Sequence, residues 1–196
     1  MTAPIAYVFG YGTLADPSDP LVQRAAGARE PIRGCLDGFR RRWNAAVENL
    51  APSTDHKYYV DRSDGSRPDL VVVSLNIERR PGVVVNGIAL PIDDAYLRLF
   101  DQREHFLERV EVGASFSVPL DLPLWTYTAT SKSLAVFSAA VAEGRAVVRR
   151  SYIERVEAAF RRLGPEAWRD YERSTLPPEC PIADLEIVRA AGDAGI

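Results

Sequence analysis

The chain is poor in the residues that most enzyme chemistry at neutral pH relies on. Among 196 residues there are two histidines, His56 and His105, and two cysteines, Cys35 and Cys180. Neither histidine has metal-ligand spacing or a cysteine neighbour, so zinc chemistry and a Cys-His nucleophile are not expected. The cysteines form no CxxC and are too few for a secreted disulfide framework; they read as reduced structural thiols. No apolar run approaches the roughly 20 residues that span a bilayer, and Met1-Thr2-Ala3-Pro4 has no basic and hydrophobic leader, which makes a cytoplasmic protein without membrane association the expectation. There is no cationic excess either. The net charge is −3, with a pI near 5.5, giving no general reason to bind nucleic acid. The short run Arg40-Arg41-Arg42 reads as a solvated strand end rather than a phosphate-binding patch. Gly10-Tyr11-Gly12 lacks the third glycine of a dinucleotide fingerprint, and no GxxxxGK[ST] loop occurs. No cofactor and no metal are implied, leaving carboxylates, hydroxyls and backbone amides as the available reagents.

What is present is an ordinary globular composition, 46% hydrophobic and 26% charged, sized for a single domain over residues 1–189, with 190–196 as a frayed tail. Residues 5–9 form a short β-favouring run that stops at Gly10, a buried strand entering a tight loop, which then runs out through Asp16-Pro17 and Asp19-Pro20. Residues 32–43 are extended, with Gly34 and Gly38 marking bends. Residues 48–69 read as a long polar surface loop, either a lid or specificity element or an inert excursion. Residues 70–77 and 83–92 read as a hairpin whose turn is Glu78-Arg79-Arg80-Pro81-Gly82. Asp93-Asp94 caps a helix, and strands follow near 109–116 and 124–129. Helices are expected at 133–144, 149–163 and 166–173, then an extended segment at 182–188. Strands first and helices last describe an α+β fold.

One carboxylate stands out from the 27 acidic residues. At about 100° per residue, Glu104 lies roughly 20° from Leu97 and roughly 40° from Phe100 on the helical wheel, on the apolar stripe of the helix after Asp93. Asp101 borders that stripe. A carboxylate on a buried face is a candidate proton acceptor and donor; alternatively it pairs with Arg103, Arg109 or an arginine elsewhere, or the helix has already ended and the side chain is solvated. The Gly10-Tyr11-Gly12-Thr13-Leu14 loop is common as a glycine turn after a strand, and as a functional element it would present backbone N–H groups to a carboxylate or developing oxyanion.

Taken together, Val8-Phe9-Gly10-Tyr11-Gly12-Thr13-Leu14 resembles the YGSL or YGTL signature of the gamma-glutamylcyclotransferase superfamily, with "VFGYG" closest to its ChaC-like branch. Val85-Asn86-Gly87, followed by a helix ending Leu99-Phe100-Asp101-Gln102-Arg103-Glu104, resembles the family's V-x-G strand and LDxxE element. Leu36-Asp37-Gly38-Phe39-Arg40-Arg41 resembles its glycine-aromatic-basic strand, and Tyr152 opens a C-terminal helix where the family has one. The resemblance implies a compact mixed β-barrel flanked by α-helices. It also implies cyclisation of a gamma-glutamyl amide or peptide to 5-oxoproline without a cofactor, Glu104 as the catalytic carboxylate, and Tyr11, Gly12, Thr13 and Leu14 as the substrate-binding loop. A small gamma-glutamyl compound would be the partner. The stretch from Arg103 to Val112 departs from the ChaC-like pattern, having no glycine pair and Leu107 near the tyrosine position, which separates the fold expectation from a glutathione-specific one. An inactive binding or regulatory module of the same fold is the alternative reading.

Overall fold

The computed structural model describes residues 3–27, 29–52 and 57–189; the expected tail, 190–196, lies outside them. Strand β1 (Ala6–Gly10) leads through a 3-10 turn (Thr13–Ala15) into α1 (Pro20–Ala26). Then come β2 (Ile32–Glu48), β3 (Lys57–Asp61), β4 (Val71–Ile92), α2 (Asp94–Arg103), β5 (Leu107–Glu111) and β6 (Leu124–Ala129). The final third holds α3 (Ser131–Ala142), β7 (Ala146–Arg149), α4 (Arg150–Leu163), α5 (Pro165–Ser174), β8 (Ile182–Ala183) and β9 (Leu185–Arg189). A mixed sheet runs in the order β5-β6-β1-β4-β7-β8, with β2 also on β4, and β3 and β9 form a separate two-stranded ribbon. The result is the expected α+β architecture, a large mixed sheet flanked by helices.

Strand β4 organises this sheet, and it corrects the sequence reading. Residues 70–92 are no hairpin: the Val/Ile-rich runs on either side of Glu78–Gly82 belong to one 22-residue strand. Strand β2 accompanies it from Val71 to Ala89, pairing Glu48 with Val71 at one end and Ile32 with Ala89 at the other. Asp37 pairs with Val84 and Phe39 with Arg79, so residues 80–83 stand opposite Gly38 alone. Pro81-Gly82, with Gly82 at φ 78°, therefore makes a wide bulge instead of a reversal. A partner as long as β2 satisfies both halves of β4 at once, and this outweighs the local turn preference.

Three further elements were not expected. Asp19 caps α1 by accepting from the Leu21 N–H at 2.8 Å, with Pro20 at the first helical position, where no N–H is needed. Val147 and Val148 make β7 a parallel strand beside the start of β4. Within the expected surface loop, β3 pairs with β9. The buried Asn49 side chain holds β3 in place, donating to the Tyr59 carbonyl and accepting from the Tyr59 N–H, both at 2.8 Å.

Helix α4 buries Val156, Ala159, Phe160 and Leu163 against the sheet, each large apolar side chain contributing about 1.5–3 kcal/mol. Beneath this helix lies Arg41, which has no exposed surface and is not the solvated strand end expected of the Arg40–Arg42 run. Alternation explains it: residues 39, 41 and 43 share the inward face of β2, and Phe39 and Trp43 are buried too. Arg41 Nε donates to the Tyr11 carbonyl at 2.8 Å and one terminal nitrogen donates to Ser174 Oγ at 2.6 Å. The other donates to the Asn86 carbonyl and to Asn86 Oδ1, the latter at 3.1 Å. The guanidinium lies 4.5 Å from the Phe160 ring centroid and 5.1 Å from that of Tyr171. Burial pushes its pKa down to about 9, and carbonyl dipoles and ring faces, not a bound carboxylate, hold the charge. Arg41→Ala strands these acceptors in the core and should cost about 3 kcal/mol or more. Urea unfolding measures it; a loss under about 1 kcal/mol would show that the network is dispensable.

Candidate active site

The loop after β1 is shaped by close packing. A Cβ on Gly10 would lie 2.6 Å from the Leu14 carbonyl carbon and oxygen, so only glycine lets the 3-10 turn fold back on the strand. Across β4, a Cβ on Gly87 would lie 2.3 Å from the Gly10 carbonyl oxygen. The glycine of the Val85-Asn86-Gly87 element thus admits the backbone of the loop. Neither Gly10 nor Gly12 has positive φ, so the loop takes its shape from the turn, closed by Ala15 N–H to the Gly12 carbonyl at 3.0 Å, and not from left-handed glycines. Tyr11 is held at both ends. Its carbonyl accepts from Arg41, and its buried hydroxyl donates to the Tyr127 carbonyl at 2.7 Å.

Glu104 sits one residue past α2, as its C-cap, with its N–H bonded to the Phe100 carbonyl at 2.9 Å. The side chain is only 16% exposed and accepts from Arg103 Nε at 3.1 Å, so the ion pair weighed from the sequence forms. Asp101 takes a different place: it accepts from the Tyr127 hydroxyl at 2.7 Å and from Arg109 at 2.8 Å. Tyr127 therefore links the loop, through Tyr11, to the carboxylate one helical turn before Glu104.

Glu104 and the loop from Gly10 to Leu14 line one cavity of about 480 Å3. Burial raises the Tyr11 hydroxyl well above its ordinary pKa, and the neighbouring Tyr152 and the Glu104 carboxylate add to the shift. Tyr152 is raised by burial and then by Glu104, and Tyr127 by burial, Asp101 and Glu104. These phenols stay protonated around the carboxylate. Lys57 is pushed down by burial, against the pull of Glu104.

Sequence reasoning missed Lys57, Tyr59, Tyr127 and Arg149 as cavity residues and placed Tyr152 only as a helix opener. Tyr152 comes within reach of the loop because α4 crosses it: its hydroxyl is 3.6 Å from where a Gly12 Cβ would stand. Period-2 alternation in β3 was the available signal for Lys57 and Tyr59, hidden by the polar composition around them. His105, Phe106 and Leu107, where the chain departs from the ChaC-like pattern, also line the cavity. Among the described residues no His, Cys, Asp and Glu cluster could hold a metal, and no helix is long and apolar enough to cross a membrane.

A solved gamma-glutamyl cyclotransferase superposes with a TM-score of 0.55, covering 88% of each chain at 10% identity. The fold is that of gamma-glutamyl cyclotransferase. The human protein loc79017 gives 0.54 over 88% of both chains at 11% identity. YkqA from Bacillus subtilis gives 0.52 at 16% identity over 88% of this chain, which spans 54% of YkqA. No family model matches the sequence, and no curated protein matches it significantly. At such identities the gamma-glutamyl cyclotransferase likeness is one of architecture.

Within that fold the loop is tethered to α4 by Asp16, whose Oδ1 accepts from Arg162 Nε at 3.0 Å and from the Ser18 N–H at 2.9 Å. Burial alone would raise the Asp16 carboxyl, but hydrogen bonds from Arg162 and Ser18 outweigh it and hold the pKa below its ordinary value. The stabilisation is then fully present above the unfolded pKa of about 3.9 and is lost as pH falls through the lower folded value. Asp16→Asn should cost under about 1 kcal/mol at pH 7, since Arg162 is half-exposed and screened. It should also shrink the loss of stability below about pH 4, read as urea midpoints from pH 7 to pH 3.

Proposed function

We propose that the protein cyclises a gamma-glutamyl amide or peptide to 5-oxoproline, releasing the amine. The observation that carries this reading is the shared cavity: Glu104 and the Tyr11–Leu14 loop face one space, within the range of roughly 300–1,000 Å3 typical of small-molecule sites. The substrate's α-amine attacks its own γ-carbonyl, the new C–N bond closes a five-membered ring, and the bond to the departing nitrogen breaks. The attacking amine loses a proton and the departing nitrogen gains one, so Glu104 serves first as general base and then as general acid. Backbone amides of Gly12, Thr13 and Leu14 hold the substrate's polar oxygens or the tetrahedral oxyanion. Tyr11, Tyr127 and Tyr152 supply protonated hydroxyls and ring surface around Glu104, and their packing keeps the folded substrate in a near-attack conformer.

Glu104→Gln keeps the shape of the side chain but cannot accept the proton. It should lower kcat by about 10²- to 10⁴-fold while leaving the melting temperature within a few degrees. The measurement is 5-oxoproline release from a panel of gamma-glutamyl amino acids, gamma-glutamyl amines and glutathione. Wild-type turnover by the variant would remove Glu104 from this role.

A further inference from the structure

The cavity's charge does not match that of the chain. The protein carries a net charge of −3, yet the cavity is lined by Arg24, Lys57, Arg103, Arg149, Arg155 and Arg189 against only Asp19 and Glu104. The two acids are engaged, Glu104 with Arg103 at 3.1 Å and Asp19 with Arg155 at 3.4 Å. Among the described residues no carboxylate lies within ion-pair distance of Lys57, Arg149 or Arg189.

These three cations converge on one wall. Lys57 and Arg189 are directly opposed in the β3–β9 register, and like charges so placed destabilise a strand pair. With Tyr59 and Ile187 they form the face of the ribbon that lines the cavity. Arg149 is largely buried and lies 5.3 Å from the Tyr59 ring centroid and 6.0 Å from that of Tyr152. The repulsion is felt locally: burial pushes the Lys57 ammonium down, and against the pull of Glu104 the neighbouring Arg103, Arg189 and Arg149 push it the same way. A wall that gathers unpaired cations at a cost in stability is built for an anion brought by a ligand.

We propose that Lys57, Arg149 and Arg189 form an anion subsite for the departing half of the substrate, selecting a released amine that carries two carboxylates. This specificity rests on the cyclisation reading. A released amine with one carboxylate meets at most one of the three positive charges, and a second carboxylate brings the match closer.

The test compares γ-glutamyl-glutamate with γ-glutamyl-alanine, which share the gamma-glutamyl group and differ by one carboxylate in the released amine. Titration calorimetry on the Glu104→Gln protein reads binding without turnover. At low salt γ-glutamyl-glutamate should bind about tenfold or more tightly, the advantage shrinking as salt screens the subsite. In the Lys57→Gln/Arg189→Gln protein the ratio should fall to within about twofold. Without ligand that double variant should melt no lower than the wild type, because it relieves repulsion; a merely structural pair would melt lower. Equal affinities for the two dipeptides, or a preference that survives the double variant, overturns the subsite. A calorimetric preference without 5-oxoproline release by the wild type retires cyclisation and leaves the subsite standing. Equal affinity with equal kcat/KM for both dipeptides does the reverse.

Discussion

The guanidinium of Arg41 is buried where sheet, helices and loop meet, and it holds them to one another. This one side chain, extending inward from β2, is bonded to the loop after β1, to β4 and to the last residue of α5, and is flanked by rings from α4 and α5. Its hydrogen bonds go to neutral acceptors, so each acceptor must be in position for the charge to remain buried. Displacing α5 removes Ser174, and displacing the loop removes the Tyr11 carbonyl. A buried cation of this kind enforces geometry more than it adds net stability.

The geometry it enforces is that of the cavity. Tyr11 is fixed by Arg41 at its carbonyl and by Tyr127 at its hydroxyl, while Tyr127 also bonds Asp101 near the end of α2. The loop and the helix carrying Glu104 to the cavity are thus joined through two tyrosines, with no direct bond between loop and carboxylate required. The ribbon's contribution is of another character. The β3–β9 ribbon is separate from the main sheet and brings the cations Lys57 and Arg189 beside Tyr59. The cavity therefore combines a single engaged carboxylate, Glu104, with phenols and an excess of positive charge.

Much of the architecture was legible because it followed local rules. Strand β6 and helices α3, α4 and α5 fell where apolar periodicity and glycine-proline punctuation placed them, within two residues. Failures came where a distant partner overrode a local signal. Pro81-Gly82 has turn chemistry, yet a strand paired along the whole of β2 absorbed it as a bulge. Residues 57–61 sit in polar surroundings, yet β9, more than a hundred residues later, gave them a strand partner. Arg41 belongs to a run of arginines that composition assigns to solvent, although its place between Phe39 and Trp43 on one strand face pointed inward.

The α+β class can be read from the chain alone, because it follows local patterns. The two elements placed at the cavity, Gly10 to Leu14 and Glu104, are singled out there by a strand stopped by glycines and a carboxylate on an apolar stripe, taken together with the resemblance to a known signature. That they share one cavity, that Tyr127 bridges them, and that Lys57, Arg149 and Arg189 close it were settled by the fold. Those residues come from β6, β3, β7 and β9, and no spacing along the chain encodes their proximity. It arises from strand pairing and from the hydrogen-bonding demands of a buried charge, which are satisfied only in the folded molecule.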